Sequence, residues 1–219
     1  MKKLVKYAVF SLGLMAASQG AIAAGDAAAG EAKTAVCAAC HSSDGNSMVP
    51  TFPKLAGLGE KYILKQLNDI KAGRANGGRD VLEMTGMLTA FSDQDLADIA
   101  AYFSSKPMQL SGSQELQVQI GSGIKVDALK LGEDLYRAGN AKTAVPACMG
   151  CHSPTGQGNA PAGYPRLGGQ HAAYIEKQLR DFRAGNRLND GDQKIMRQVA
   201  ENMTDAEIIA VANFIAGLN

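Results

Sequence analysis

The stretch CAACHSSDGN, residues 37–46, returns 111 residues later as CMGCHSPTGQ, residues 148–157. The chain has four cysteines and three histidines, and all four cysteines and two of the histidines lie in these two Cys-x-x-Cys-His pentapeptides. Concentrating thiol and imidazole chemistry in two copies of one motif raises the question of what surrounds each copy.

Outward from the motifs the two halves run in parallel. FPKLAG at 52–57 answers YPRLGG at 164–169, and YILKQLNDIKAG at 62–73 answers YIEKQLRDFRAG at 174–185. FSDQDLADIAAYF at 91–103 answers MTDAEIIAVANFI at 203–215. One extra residue between His152 and Pro165 changes the offset from 111 to 112. Self-similarity of this kind marks a duplicated domain. Ile63, Leu67 and Ile70, and their counterparts Ile175, Leu179 and Phe182, each form one apolar helical stripe. Ser92 and Thr204 each open a further helix, with an acidic residue three positions on, as in a capping box. Leu96, Ile99 and Phe103, matched by Ile208, Val211 and Ile215, are its buried stripe. Helical stretches are also expected before the motifs, over Asp26 to Ala39 and from Leu129 to Ala138. No alternating strand pattern stands out, so the expected class is all-α.

The organisation follows. MKKLVK is a basic head, YAVFSLGLMAA an apolar segment, and AIA at 21–23 offers small residues for cleavage after Ala23. The apolar run is shorter than the ~20 residues a membrane span needs. Residues 1–23 are therefore expected to be a cleaved signal peptide and the mature chain to lie in a bacterial periplasm. Domain 1 is expected over 24–105, a Ser-, Gly- and Gln-rich linker over 106–123, and domain 2 over 124–219. Without the leader, 19 basic and 21 acidic residues remain, so nothing suggests nucleic acid as a partner. The charge is uneven: 7 basic and 10 acidic residues from Ala24 to Ser105, against 11 and 10 from Ile124 to Asn219. On that count the first half should hold the lower reduction potential.

The motif itself admits several readings. A thioredoxin-like pair needs a βαβ context that this pattern lacks. Structural zinc closes a local loop, which two knuckles 111 residues apart would do poorly. A disulfide suits an exported chain but leaves the histidine idle. Cys-x-x-Cys-His is the attachment sequence for haem c: two thiols bond the porphyrin covalently and the histidine ligates the iron. Two copies, using every cysteine, imply two covalent haems on Cys37, Cys40, Cys148 and Cys151, with His41 and His152 on the irons. The spare His171 has Gly59 as its repeat equivalent, so it is expected to be an exposed loop residue rather than a ligand. Met84 and Met196 coincide across the repeat, whereas Met87 faces Val199 and Met203 faces Phe91. Met84 and Met196 are accordingly the expected sixth ligands, and Met87 and Met203 core or haem-packing residues. Pro53 and Pro165 also coincide; each is either a turn proline or the source of a carbonyl for the free nitrogen of the histidine.

CAACHSSDGNS, FPKLAG, KQLNDIKAG and VLEMTGM in one half, with CMGCH, LGGQHAAY, RAGNRLNDGD and IMRQVA in the other, resemble the dihaem cytochrome c4 family over essentially the whole mature chain. The resemblance implies two tandem cytochrome c domains related by a pseudo-twofold axis, each wrapped around one haem with His/Met coordination. It further implies a periplasmic one-electron carrier, associated with the inner membrane, that takes electrons from a quinol-oxidising complex or another cytochrome and feeds a terminal haem–copper oxidase. A dihaem peroxidase would need one haem to lose its sixth ligand, which the matched methionines oppose. A haem subunit of a periplasmic dehydrogenase would be built from the same module.

Overall fold

The computed structural model describes residues 24–219; the leader expected over 1–23 lies outside the described residues. The first half opens with α1 (Ala27–Glu31) and α2 (Ala35–His41), continues through α3 (Glu60–Ala72) and closes with α4 (Asp93–Ser105). The linker region and its sequel hold β1 (Gln117–Ile120) and β2 (Ile124–Asp127). The second half runs α5 (Ala128–Ala138), α6 (Met149–His152), α7 (Ala172–Arg183), α8 (Ile195–Glu201) and α9 (Asp205–Gly217). Among the described residues no helix is long and apolar enough to cross a membrane.

Each half is a crossing of its first and last helices with a third helix laid against the last. In the first half α1 and α3 pack on α4; in the second α5 and α7 pack on α9. The crossings need glycine. A Cβ on Gly30 would stand 2.1 Å from Asp98 O, and one on Gly132 the same 2.1 Å from Ala210 O. Asp98 and Ala210 are equivalent at the offset of 112, so both halves use one close helix contact. Gly30 and Gly132, however, are only 102 positions apart. The difference is the second half's extra loop before its motif, closed by the bridge between Asn140 and Val145. The predicted apolar stripes are the cores: Ile63, Leu67, Leu96, Ile99 and Phe103 in one cluster, Ile175, Leu179, Ile208, Val211 and Ile215 in the other. The capping boxes form at Ser92 with Asp95 and at Thr204 with Glu207.

One expectation about the elements needs correction. The stretch before the first motif is two short helices rather than one, because the chain turns at Ala32–Thr34. The class is all-α as expected, with one hairpin that the sequence did not signal: β1 and β2 pair antiparallel, with Val118 opposite Val126 and Ile120 opposite Ile124. Strands this short carry too few alternations to register against the surrounding polar residues. Their apolar side is covered because Val118 buries against Ala128, Ala206 and Ala210 of α5 and α9. The connecting segment is held by side chains of both halves. Asn46 takes Gln109 N–H and donates to Pro107 O, while Asn213 takes Gln114 N–H and returns a bond to Gln114 O. The connecting segment is thus pinned to both halves in turn.

Candidate haem sites

Each motif is helical up to its histidine and then breaks sharply. Cys37, Cys40 and His41 lie on α2; Cys148 caps α6, which contains Cys151 and His152. The helix places both thiols and the imidazole on neighbouring turns. The next residue has positive φ in both halves, 64° at Ser42 and 67° at Ser153, with ψ of 158° at each. That backbone region is essentially reserved for glycine and costs on the order of 1–3 kcal/mol. The following loop is held in compensation: Tyr102 donates to Ser43 O at 2.9 Å, and Tyr136 to Ser153 O at 2.7 Å.

The sharp turn lets the later loop reach back. His41 Nδ1 lies 2.8 Å from Pro53 O, and His152 Nδ1 lies 3.0 Å from Pro165 O. A carbonyl can only accept, so Nδ1 carries the proton and Nε2 is left with a lone pair. Of the two roles open to the repeated proline, the structure shows the carbonyl bond. Both imidazoles are buried, and desolvation lowers their pKa against the opposing pull of the proline carbonyls. Each ring is therefore neutral, oriented and ready to donate. No disulfide pairs the four cysteines, which leaves each one for attachment.

His41 faces a cavity of about 600 Å³ in the first half. This is within the ~300–1,000 Å³ typical of ligand and cofactor pockets. Cys37, Cys40, Met84 and Met87 share its wall with leucine, isoleucine and phenylalanine side chains. Met84 ends the 3₁₀ turn Leu82–Met84, opposite in sequence to the motif helix. Both Met84 and Met87 reach the cavity, so the repeat register, not the cavity, distinguishes them. In the second half Met196, on α8, packs on the core cluster together with Cys148 and Met149. Met203 is buried within that core, as expected for a packing residue. The residues fit haem c: two thiols, an oriented imidazole, an apolar chamber and a thioether sulfur meet at one place.

The cavity is not built from the first half alone. Arg187, Gln178 and Tyr174 of the second half complete its wall. There two glutamines at equivalent repeat positions, Gln66 and Gln178, each accept from both Arg79 and Arg187, at 2.8–3.0 Å. Arg187 also donates to Tyr62 Oη at 3.1 Å and lies over the Phe182 ring at 4.5 Å. Asn189 adds bonds to Gln66 and Asp69. Sequence reading missed this cluster. Its one signal was the glutamine shared by KQLNDI and KQLRDF; the arginines occupy unmatched positions and could not be found by the repeat.

His171 is the other correction. It is buried rather than exposed: Nε2 donates to Ser47 O at 2.8 Å, and Nδ1 lies 2.9 Å from Ser111 Oγ. Gly59 is no guide to its role, because His171 packs against the other half, where the repeat has no say.

The sequence profile of the family described as Cytochrome c matches residues 26–106 and 130–219. The chain is 55% identical over 202 residues to cytochrome c4 of Azotobacter vinelandii, covering 90% of this chain and 91% of that protein. It is 52% identical to cytochrome c4 of Pseudomonas aeruginosa over the full length of both. Among solved structures it resembles reduced recombinant cytochrome c4 from Pseudomonas stutzeri, with a TM-score of 0.82, 55% identity, and coverage of 90% of this chain and 100% of that one.

Proposed function

The chain belongs to the cytochrome c4 family of dihaem c-type electron carriers, and from that premise we propose the residues, compartment and partners through which it works. It carries two covalent haem c groups and, like its cytochrome c4 relatives, is an electron-transfer protein rather than an enzyme. Cys37 and Cys40 hold haem I and Cys148 and Cys151 hold haem II. His41 with Met84, and His152 with Met196, fill the axial positions. Domain 1 spans 24–105, the linker 106–123 and domain 2 124–219.

When bound, each haem supplies an iron centre that takes and gives one electron, at a potential that methionine ligation raises. The chain's own residues make that exchange clean. The Pro53 and Pro165 carbonyls fix each imidazole in the tautomer that presents Nε2. Apolar walls from Leu58, Ile63, Leu67 and Ile99 keep water from the first chamber. Arg187, buried between the halves, and the half-buried Arg79 offer guanidinium groups suited to the acidic side chains of the porphyrin. The observation that carries this reading is the matching arrangement in both halves: a helical Cys-x-x-Cys-His, a positive-φ serine and a proline carbonyl on Nδ1.

The protein is exported to the periplasm after loss of residues 1–23, associates peripherally with the inner membrane, and passes single electrons from a quinol-oxidising complex or another cytochrome to a terminal haem–copper oxidase. Rapid mixing of reduced protein with oxidase-containing membranes, and separately with peroxide, tests the acceptor. Fast oxidation by membranes and slow oxidation by peroxide is the expected result. Catalytic peroxide turnover, with a high-spin haem on reduction, would overturn it.

A further inference from the structure

The turn Gly169–His171 of the second half reaches across to the loop that orients the first half's histidine. Gln170 is 1% exposed. Its Oε1 accepts from Lys54 N–H at 2.9 Å and from His171 N–H at 3.0 Å. Its Nε2 donates to Lys54 O at 2.8 Å. Two N–H donors on one atom and a carbonyl on the other settle which way the amide points.

Lys54 N–H and Pro53 C=O belong to the same peptide group. Gln170 therefore holds one end of a planar unit whose other end accepts from His41 Nδ1 at 2.8 Å. Hydrogen bonds in series polarise one another, by roughly 10–30% per bond. An acceptor on the amide N–H places more negative charge on the amide oxygen. A stronger acceptor at Nδ1–H in turn makes Nε2 a better donor. The same turn grips the loop a second time: His171 donates to Ser47 O, and Ser47 Oγ donates to Cys40 O at 2.8 Å.

Among the described residues the second half has no such device. At the offset of 112 the position of Gln170 is Leu58, which can neither donate nor accept. The corresponding bond, His152 Nδ1 to Pro165 O, is also the longer one, 3.0 Å against 2.8 Å.

We propose that Gln170 is a positioning residue for haem I: acting through the Pro53–Lys54 peptide, it strengthens His41 as an axial donor and so lowers the first haem's potential from across the interface. The inference rests on the reading of His41 as the iron ligand. A more electron-rich imidazole stabilises ferric over ferrous iron, which sets the sign.

The test is a redox titration of the holoprotein, with each haem assigned by the methionine methyl resonances lost in Met84→Ala or Met196→Ala. Gln170→Leu imports the residue found at position 58. At fixed solution potential it should raise the reduced-to-oxidised ratio of haem I severalfold and leave haem II unchanged. In the ferrous protein the His41 Nδ1 proton should move upfield while that of His152 stays. Gln170→Glu keeps an acceptor on Lys54 N–H and adds negative charge, so haem I should shift the opposite way; it also serves if the leucine variant does not fold. Equal movement of both haems, no movement of haem I, or the same sign in both variants would overturn the proposal. If His41→Ala leaves the haem I spectrum intact, the ligand assignment itself has failed, a result distinct from these.

Discussion

At the scale of single residues, the site depends on a few atoms held in unusual states. Ser42 and Ser153 carry strain that glycine would not. Ser153→Gly is expected to raise the stability of the second half by about 1 kcal/mol, measured by denaturant unfolding of the holoprotein; a loss of stability would mean the serine conformation is not strained. Met84→Ala and Met196→Ala should each remove part of the long-wavelength absorption band of methionine-ligated ferric haem. Met87→Ala and Met203→Ala should leave it. Loss of the band on Met87→Ala alone would show that the repeat register misassigns the first ligand, since Met87 shares the cavity wall with Met84.

At the scale of elements, the helix crossings and caps set stability. Gly132→Ala places a methyl 2.1 Å from Ala210 O, a backbone atom that cannot move aside without shifting α9. Overpacking of this kind typically costs ~1–3 kcal/mol, and thermal unfolding should show it. Thr204→Ala removes the cap of α9, whose Oγ accepts from Glu207 N–H, and should cost about 1 kcal/mol. Asp98 gives the first half an acid-sensitive contact at a position where the second half has Ala210. The Asp26 N–H, then Lys33 and Gln94, hold its carboxyl down at about 2. A carboxylate with depressed folded-state pKa stabilises above its unfolded value near ~3.9 and loses that contribution as pH falls through the folded value. Asp98→Asn should flatten the fall in stability between those two pH values; an unchanged acid limb would assign the sensitivity elsewhere. At this scale the four long helices could be read from apolar spacing and capping residues, while the hairpin could not, because its stability comes from the face of α5 and α9 that Val118 covers.

At the scale of the whole molecule, the interface couples the halves. Arg187→Met would strip Gln66, Gln178 and Tyr62 of a shared donor. Arg79 still serves both glutamines, so what is lost is hydrogen bonding from a charged donor, worth roughly 1.5–3 kcal/mol, and calorimetry should show the halves unfolding in more separated steps than in the parent. A single unaltered transition would mean that the cluster does not hold them together. The interface also changes the meaning of the charge split. Counted along the chain, Arg187 belongs to the second half; in space it lines the first half's cavity and brings positive charge there. That one charge narrows the split between the halves without reversing it.

The sequence alone determined what is local or repeated: the two attachment motifs, the apolar stripes, the caps, and the pairing of Met84 with Met196. These are legible because helical period, covalent attachment chemistry and duplication all act at fixed spacings. Only the tertiary structure decided how the halves meet. Gln170, His171 and Arg187 have no equivalent in the repeat, and each takes its role from a partner more than a hundred residues away. Duplication copies the interior of a domain faithfully, but packing one copy against the other makes each half's surroundings different, and the contacts between them follow no period.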